Sequence, residues 1–253
     1  MTKTLSMVMA ALFGLSIAMS AQGAPIIYFG EDLSPGGTVP AGGNAETARA
    51  SFLSGLIGVG NEDFEGFANL TSIGGAGINI SFPGSSGAIT ANLSGLGGIC
   101  DQTVGGTVGG ITCGFQRFAT SPDNYLQSAS GGFDLAFSDQ IAAFGFYGTD
   151  FGDFSGQMTL TLTNGDNVVL EIDHTQGSSA GGNVLFWGFI DPAVTYTDIA
   201  FTNTGGAGDV FGFDDMVIGD ERQVGPVIPE PSAVALYGVS MLLVGMAVRR
   251  RRS

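Results

Sequence analysis

The carboxylates of this sequence are its best candidates for chemistry. Asp214-Asp215 stands inside an apolar run, Val210-Phe-Gly-Phe-Asp-Asp-Met-Val-Ile-Gly219, where unpaired charge is costly to bury. A hard divalent cation such as calcium would relieve that cost, since it takes about six to eight oxygens from carboxylates and loop carbonyls. Pairing of an early with a final strand, frequent in jelly rolls, would bring Glu65, in Asp63-Phe-Glu-Gly-Phe67, beside the doublet. Asp150 and Asp153, in a Gly-rich turn, make a second and thinner cluster. The competing reading is that these acids cap turns and accept backbone hydrogen bonds.

Other chemistry is sparser. His174 is the only histidine, so a zinc site built on histidines cannot be assembled, and a lone His beside Asp173 at a strand end reads as solvated or hydrogen-bonded. Two carboxylates can hydrolyse a glycoside, but the sequence offers no means of choosing two from so many. Trp187, with Phe186 and Phe189, is a candidate sugar-stacking platform, against the alternative that aromatics in a strand with apolar neighbours belong to the core. Neighbouring strand residues point to opposite faces, so Phe186 or Trp187 is expected to face outward or into a cleft. Cys100 and Cys113 are the only cysteines. Enclosing a short Gly-rich loop, they suit a disulfide in an oxidising compartment, with a reactive thiol or metal pair as the alternative.

The elements that must carry these residues are mainly strands. One helix is expected, from Asn44 as N-cap to Leu56, with Phe52, Leu53 and Leu56 on one face. From Asp63 the apolar period becomes two, in Ile78-Phe82, Ile89-Leu93, Phe133-Phe137 and Ile141-Tyr147. The stretch Ser94 to Gly110 is mostly glycine and polar and is expected to be loop. Met158-Leu160-Leu162 alternates with threonines, and Val168-Leu170-Ile172 alternates likewise after Asn164-Gly165. That pattern predicts a hairpin closed by a type I′ turn. Val184-Ile190, Tyr196-Thr202 and Val210-Ile218 follow. About eight to ten strands, with no β–α–β alternation, give an all-β class: an antiparallel, jelly-roll-like β-sandwich with one short N-terminal helix.

Charge narrows the partners. Of 23 acidic residues, 22 lie between residues 24 and 226, against three basic ones there, Arg49, Arg117 and Arg222, for a formal charge of −19. Such a surface repels nucleic acid and anionic lipid, and a nucleic-acid role is excluded. The 43 glycines do not recur every third residue, which excludes collagen.

The two ends read as addresses. In residues 1–23, Lys3 precedes an apolar run from Leu5 to Met19, and Ala21-Gln-Gly23 supplies small residues for a signal peptidase. A signal peptide cleaved before Ala24 is expected, and a retained membrane helix is the alternative. Residues 227–253 contain Pro229-Glu230-Pro231, then 16 uncharged residues from Ala233 to Val248, then Arg249, Arg250, Arg251 and Arg252. As a helix the uncharged run rises about 24 Å, near the ~30 Å of a hydrocarbon core. Tyr237 and the arginines would sit at the two interfaces, the arginines on the cytoplasmic side. The alternative is an anchor that is never processed.

This order of parts resembles the PEP-CTERM sorting signal of Gram-negative bacteria, with Pro229, Glu230 and Pro231 as its signature. The resemblance implies an exosortase substrate: exported, held transiently in the inner membrane by the C-terminal transmembrane helix, then cut and left at the cell envelope, the surface or outside the cell. It also implies a link to exopolysaccharide and biofilm. The segment from Phe144-Gly-Phe-Tyr-Gly-Thr-Asp-Phe-Gly-Asp153 to Phe211-Gly-Phe-Asp-Asp-Met-Val-Ile-Gly219 looks like bodies that recur ahead of such tails without an assigned activity. The sandwich expected for residues 24–226 is also similar in form to carbohydrate-binding modules. The leading expectation is therefore a non-catalytic surface or matrix protein. A calcium-dependent carbohydrate-binding module is the first rival, and a glycan-active hydrolase the second.

Overall fold

The computed structural model describes residues 24–152, 157–175, 182–204 and 209–225. The signal peptide expected over 1–23, the sorting signal expected over 227–253 and Asp153 lie outside the described residues. In chain order the elements are β1 (Ile26–Leu33), α1 (Asn44–Ser54), β2 (Asn61–Glu62), β3 (Ile78–Gly84), β4 (Gly87–Asp101), β5 (Thr107–Val108), β6 (Ile111–Thr112), β7 (Asn124–Ile141), β8 (Ala143–Thr149), β9 (Met158–Thr163), β10 (Asn167–Glu171), β11 (Asn183–Ile190), β12 (Tyr196–Asn203) and β13 (Val210–Gly219). A 3-10 turn, Glu221–Gln223, closes the series.

Among the described residues the strands form one curled antiparallel sheet of 11 and a separate ribbon of β5 and β6. The sheet runs β1-β11-β8-β13-β7-β12-β9-β10, with β4 lying along β7 and β3 along β4. Strand β7 makes the curl. Its first part, Leu126 to Ala129, pairs with β13, and its later part, Asp134 to Ile141, pairs with β12. Strand β4 follows both parts, with its register shifted between Gly95 and Gly97. One continuous ladder thereby supplies both walls of a sandwich.

The fold line demands glycine. Gly132 has φ +76°, and a Cβ there would collide with the carbonyl oxygen of Phe201 in β12. The Ser94–Gly110 stretch expected as loop is therefore largely strand, with β4 reaching Asp101. Its glycines are the residues that two closely apposed backbones can accept.

Core side chains come from both walls. The ring of Phe201 in β12 lies 4.3 Å from Phe133, 5.5 Å from Phe146 and 5.4 Å from Phe213, stacked on the first and edge-on to the others. Strand β9 alternates between buried and half-buried residues, as its Leu/Thr pattern predicts, whereas β8 and β11 are buried at every position. Their second face lies beneath α1. Phe52, fully buried, sits 5.4 Å from Phe186 and 5.6 Å from Tyr28. It rests where Gly145 and Gly188 face each other across β8 and β11, so no Cβ holds the ring off the sheet.

Three local expectations are corrected. The helix N-cap is Gly43, not Asn44. The carboxylate of Asp32 in β1 accepts from the backbone N–H of Asn44 and Ala45, both at 3.0 Å, which caps the helix and ties it to the sheet. The β9–β10 hairpin forms, but Thr163 pairs with Asn167 and leaves a three-residue connection. Gly165 takes φ +110° and Asn164 does not join it at positive φ, so the turn is not type I′. Asp63–Phe67 is not a strand: β2 ends at Glu62, and Phe64, at φ +60°, turns the chain inward to bury its ring.

Candidate functional site

The acidic doublet sits on a distortion of β13. Its ladder with β8 shifts register between Asp214 and Val217, and Asp215 adopts φ +49°. This bulge places both carboxylates against the segment that leads into β7. Asp214 Oδ2 accepts from the backbone N–H of Thr120 at 2.6 Å and of Ser121 at 3.1 Å, and from the Thr120 hydroxyl at 2.9 Å. Its Oδ1 accepts from the N–H of Asp215 at 2.7 Å. Asp215 accepts from the same hydroxyl at 3.0 Å and from Asn61 Nδ2 at 2.5 Å. Burial, reinforced by the neighbouring charge of Asp215, pushes the Asp214 carboxyl well above the usual carboxylate range.

Glu65 converges on the same segment from a turn. Its Oε1 accepts from the N–H of Asp123 at 2.9 Å and of Asn124 at 2.6 Å. Asn124 in turn donates to the carbonyls of Phe64 and Phe67, both at 3.1 Å. The topology thus does pair β2 with β13, at Glu62 and Met216, and draws Glu65, Asp214 and Asp215 to residues 120–124. Their oxygens meet amide and hydroxyl hydrogens there. Among the described residues no group of three or more Asp, Glu, His or Cys is placed to hold a metal ion.

The remaining expected site residues separate. Asp150, at φ +65°, forms an ion pair with Arg117 at 3.3 Å. His174 is half-buried, its ring 6.1 Å from that of Phe151. Trp187 is fully buried, 6.2 Å from Phe146 and 6.3 Å from Phe189, and cannot offer a face to a sugar. The expectation that either Phe186 or Trp187 faces outward fails because α1 covers the second face.

Cys100 and Cys113 are joined, with 5.8 Å between their Cα atoms. The bond ties the end of β4 to the segment after β6. Replacing Cys113 with Ser should lower unfolding stability by about 3 kcal/mol on the chain-entropy account, readable as a lower urea midpoint.

Beyond the disulfide lies a cavity that the sequence reading missed. It is an open cleft of about 570 Å3, and Phe115, Gln116, Arg117, Asp150 and Asp209 are among the residues that line it. Arg117 is 7% exposed: Nη1 meets Asp150, Nη2 donates to the carbonyl of Thr112 at 2.9 Å, and Nε has no hydrogen-bond partner. Phe115 is 73% exposed and its ring centre lies 6.0 Å from the guanidinium carbon. The signal in the sequence was the cation itself, one of three in the acidic body and four residues after a cysteine.

No protein-family model matches the sequence, and no curated protein matches it. One solved structure that aligns is a carbohydrate-binding module, TmCBM61, in complex with β-1,4-galactotriose. It is 15% identical, the alignment covers 40% of this chain and 72% of that one, and the TM-score is 0.22. The architecture above therefore rests on this chain's own strand pairing. Among the described residues no helix is long and apolar enough to cross a membrane.

Proposed function

We propose that this chain is an exported, non-catalytic surface or matrix protein that an exosortase sorts by its tail. The reading is carried by the order of parts in residues 227–253: Pro229-Glu230-Pro231, an uncharged run and four arginines. Two features of the body support it. The joined cysteines suit an oxidising compartment outside the cytoplasm. The acids first in line for catalysis or metal, Asp214, Asp215 and Glu65, accept hydrogen bonds from the chain's own amides and hydroxyls, which leaves them a structural task. A highly acidic body keeps such a protein soluble and spaced in a crowded polysaccharide layer.

Intact-mass measurement on protein recovered from its native host tests this. The expected mass lacks residues 1–23 and the arginine-rich end, and the Glu230→Ala variant keeps that end and stays in the membrane fraction. A wild-type mature protein that retains Arg249–Arg252 would overturn the reading.

A further inference from the structure

From the cavity beside the disulfide we infer that this chain has a binding site for a neutral sugar, with Phe115 as its stacking face and Arg117, Asp150 and Asp209 as its hydrogen-bonding floor. The site stands apart from the sorting reading, because nothing in it depends on how the chain reaches its destination.

The floor mixes strong donors with strong acceptors. Arg117 is more than nine-tenths buried, lines the cavity and keeps a hydrogen on Nε without an acceptor in the protein. A buried donor in that state invites a ligand oxygen. Asp150 and Asp209 line the same space, Asp150 paired with Arg117 at 3.3 Å and Asp209 accepting from Asn203 Nδ2 at 3.3 Å. The lining carries one guanidinium and two carboxylates by formal charge, which disfavours a phosphate or uronate. A bare cation would meet a guanidinium already paired with Asp150 at 3.3 Å. Vicinal hydroxyls, which both donate and accept, fit this alternation without carrying charge.

The rim supplies the apolar half of the match. Phe115 is 73% exposed, although a large aromatic gains by burial. It is also held in place: Cys113 is tied to Cys100, and the N–H of Gly114 donates to the Tyr125 hydroxyl at 2.8 Å. Three non-glycine residues of the lining, Phe115, Gln116 and Asp150, have φ of +57°, +73° and +65°. Conformations this sparsely populated persist where the surroundings over-determine them, and they cluster at binding sites. A volume of about 570 Å3 suits one or two pyranose rings.

Native gel retardation of the full chain, in a zwitterionic detergent without a sugar headgroup, tests the site. The gels contain dextran, glucomannan or galactan as neutral probes, and polygalacturonate as the acidic one. At least one neutral polymer should retard the protein. Phe115→Ala should weaken that retardation about tenfold or more, the loss expected when a stacked ring is removed, at an unchanged melting temperature. Ala129→Leu, which fills the cavity from the β7 side, should do the same with Phe115 intact, and Val169→Ala on β10 should change nothing. The inference falls if no neutral polymer retards the chain, if polygalacturonate is preferred, or if retardation survives Phe115→Ala.

Discussion

Alanine at Gly132 should unfold the sandwich at temperatures where the wild type is stable. Two independent penalties coincide at this residue. Its φ of +76° is a region that a side chain enters only at a cost of about 1 kcal/mol or more. A Cβ there would also run into the carbonyl oxygen of Phe201, which belongs to a strand and cannot swing aside. Relief requires β7 to part from β12 at the line where one sheet becomes two walls. Phe133, the next residue, stacks on Phe201 at 4.3 Å and meets Phe213 at 4.8 Å, so that movement opens the centre of the core. The expected loss is about 4 kcal/mol or more, of the size seen when large core side chains are truncated. Urea unfolding followed by far-UV circular dichroism gives the value. The control is Gly36→Ala, which shares a positive φ of +74° but has nothing within 4 Å of the added methyl group, and should lose only about 1 kcal/mol. Equal losses in the two variants would show that backbone conformation alone matters and that the fold line does not.

Much of this architecture was legible where one physical constraint acts alone. Leu160 and Leu162 alternate with threonines because β9 buries one face, and their period gives the strand away. The composition also exposed the disulfide, since two cysteines admit only one pairing. The reading failed where two constraints meet. The strand alternation predicts that one of Phe186 and Trp187 faces outward or into a cleft, but whether a strand has a free face depends on where the helix lands, and Phe52 reaches Phe186 from more than a hundred residues away in sequence. The glycines of β4 signal a loop when considered singly, and signal close backbone approach only once β7 is known to lie beside them. The Arg117 cavity was hidden for the same reason. Its guanidinium and the Asp150 carboxylate stand 33 positions apart, and neither carries a local pattern that predicts the other. The acids were half legible: an Asp pair in an apolar strand signals that something must satisfy them, but not whether that is a cation or the chain's own amides.

Asp214 separates those two kinds of satisfaction, and its removal should have the second largest effect. Alanine at this position takes away the acceptor for two backbone N–H groups on Oδ2 and for a third on Oδ1, while the Thr120 hydroxyl keeps Asp215 as its acceptor. Each buried donor left without a partner costs about 1–3 kcal/mol, and partial rehydration of the loop brings the expected total to about 3–4 kcal/mol. Asparagine keeps an oxygen for Thr120 and Ser121 and removes the charge. It should therefore lose little stability near neutral pH, about 1 kcal/mol or less, the scale of a single hydrogen bond.

The two forms differ most clearly in their pH dependence. Burial and the adjacent Asp215 raise the Asp214 carboxyl well above its ordinary value of 3.8. In the window between that value and the raised one, the folded chain holds a proton that the unfolded chain has released. Wild-type stability should therefore rise as pH falls through this window, and the gain should disappear as pH climbs above the raised value. Acidification also relieves the self-repulsion of a body with formal charge −19, but that relief is common to wild type and Asp214→Asn. The difference between their unfolding free energies, measured from pH 7 down to pH 4, isolates the single carboxyl. A difference that stays flat across the range would mean that Asp214 titrates normally in the folded chain. It would also mean that the Thr120–Ser121 amides hold an ordinary carboxylate and that Asp215 adds no repulsion. A slope of the expected sign places the protonated form of Asp214 in the native hydrogen-bond network, where an added cation would have to compete with both the proton and the amides.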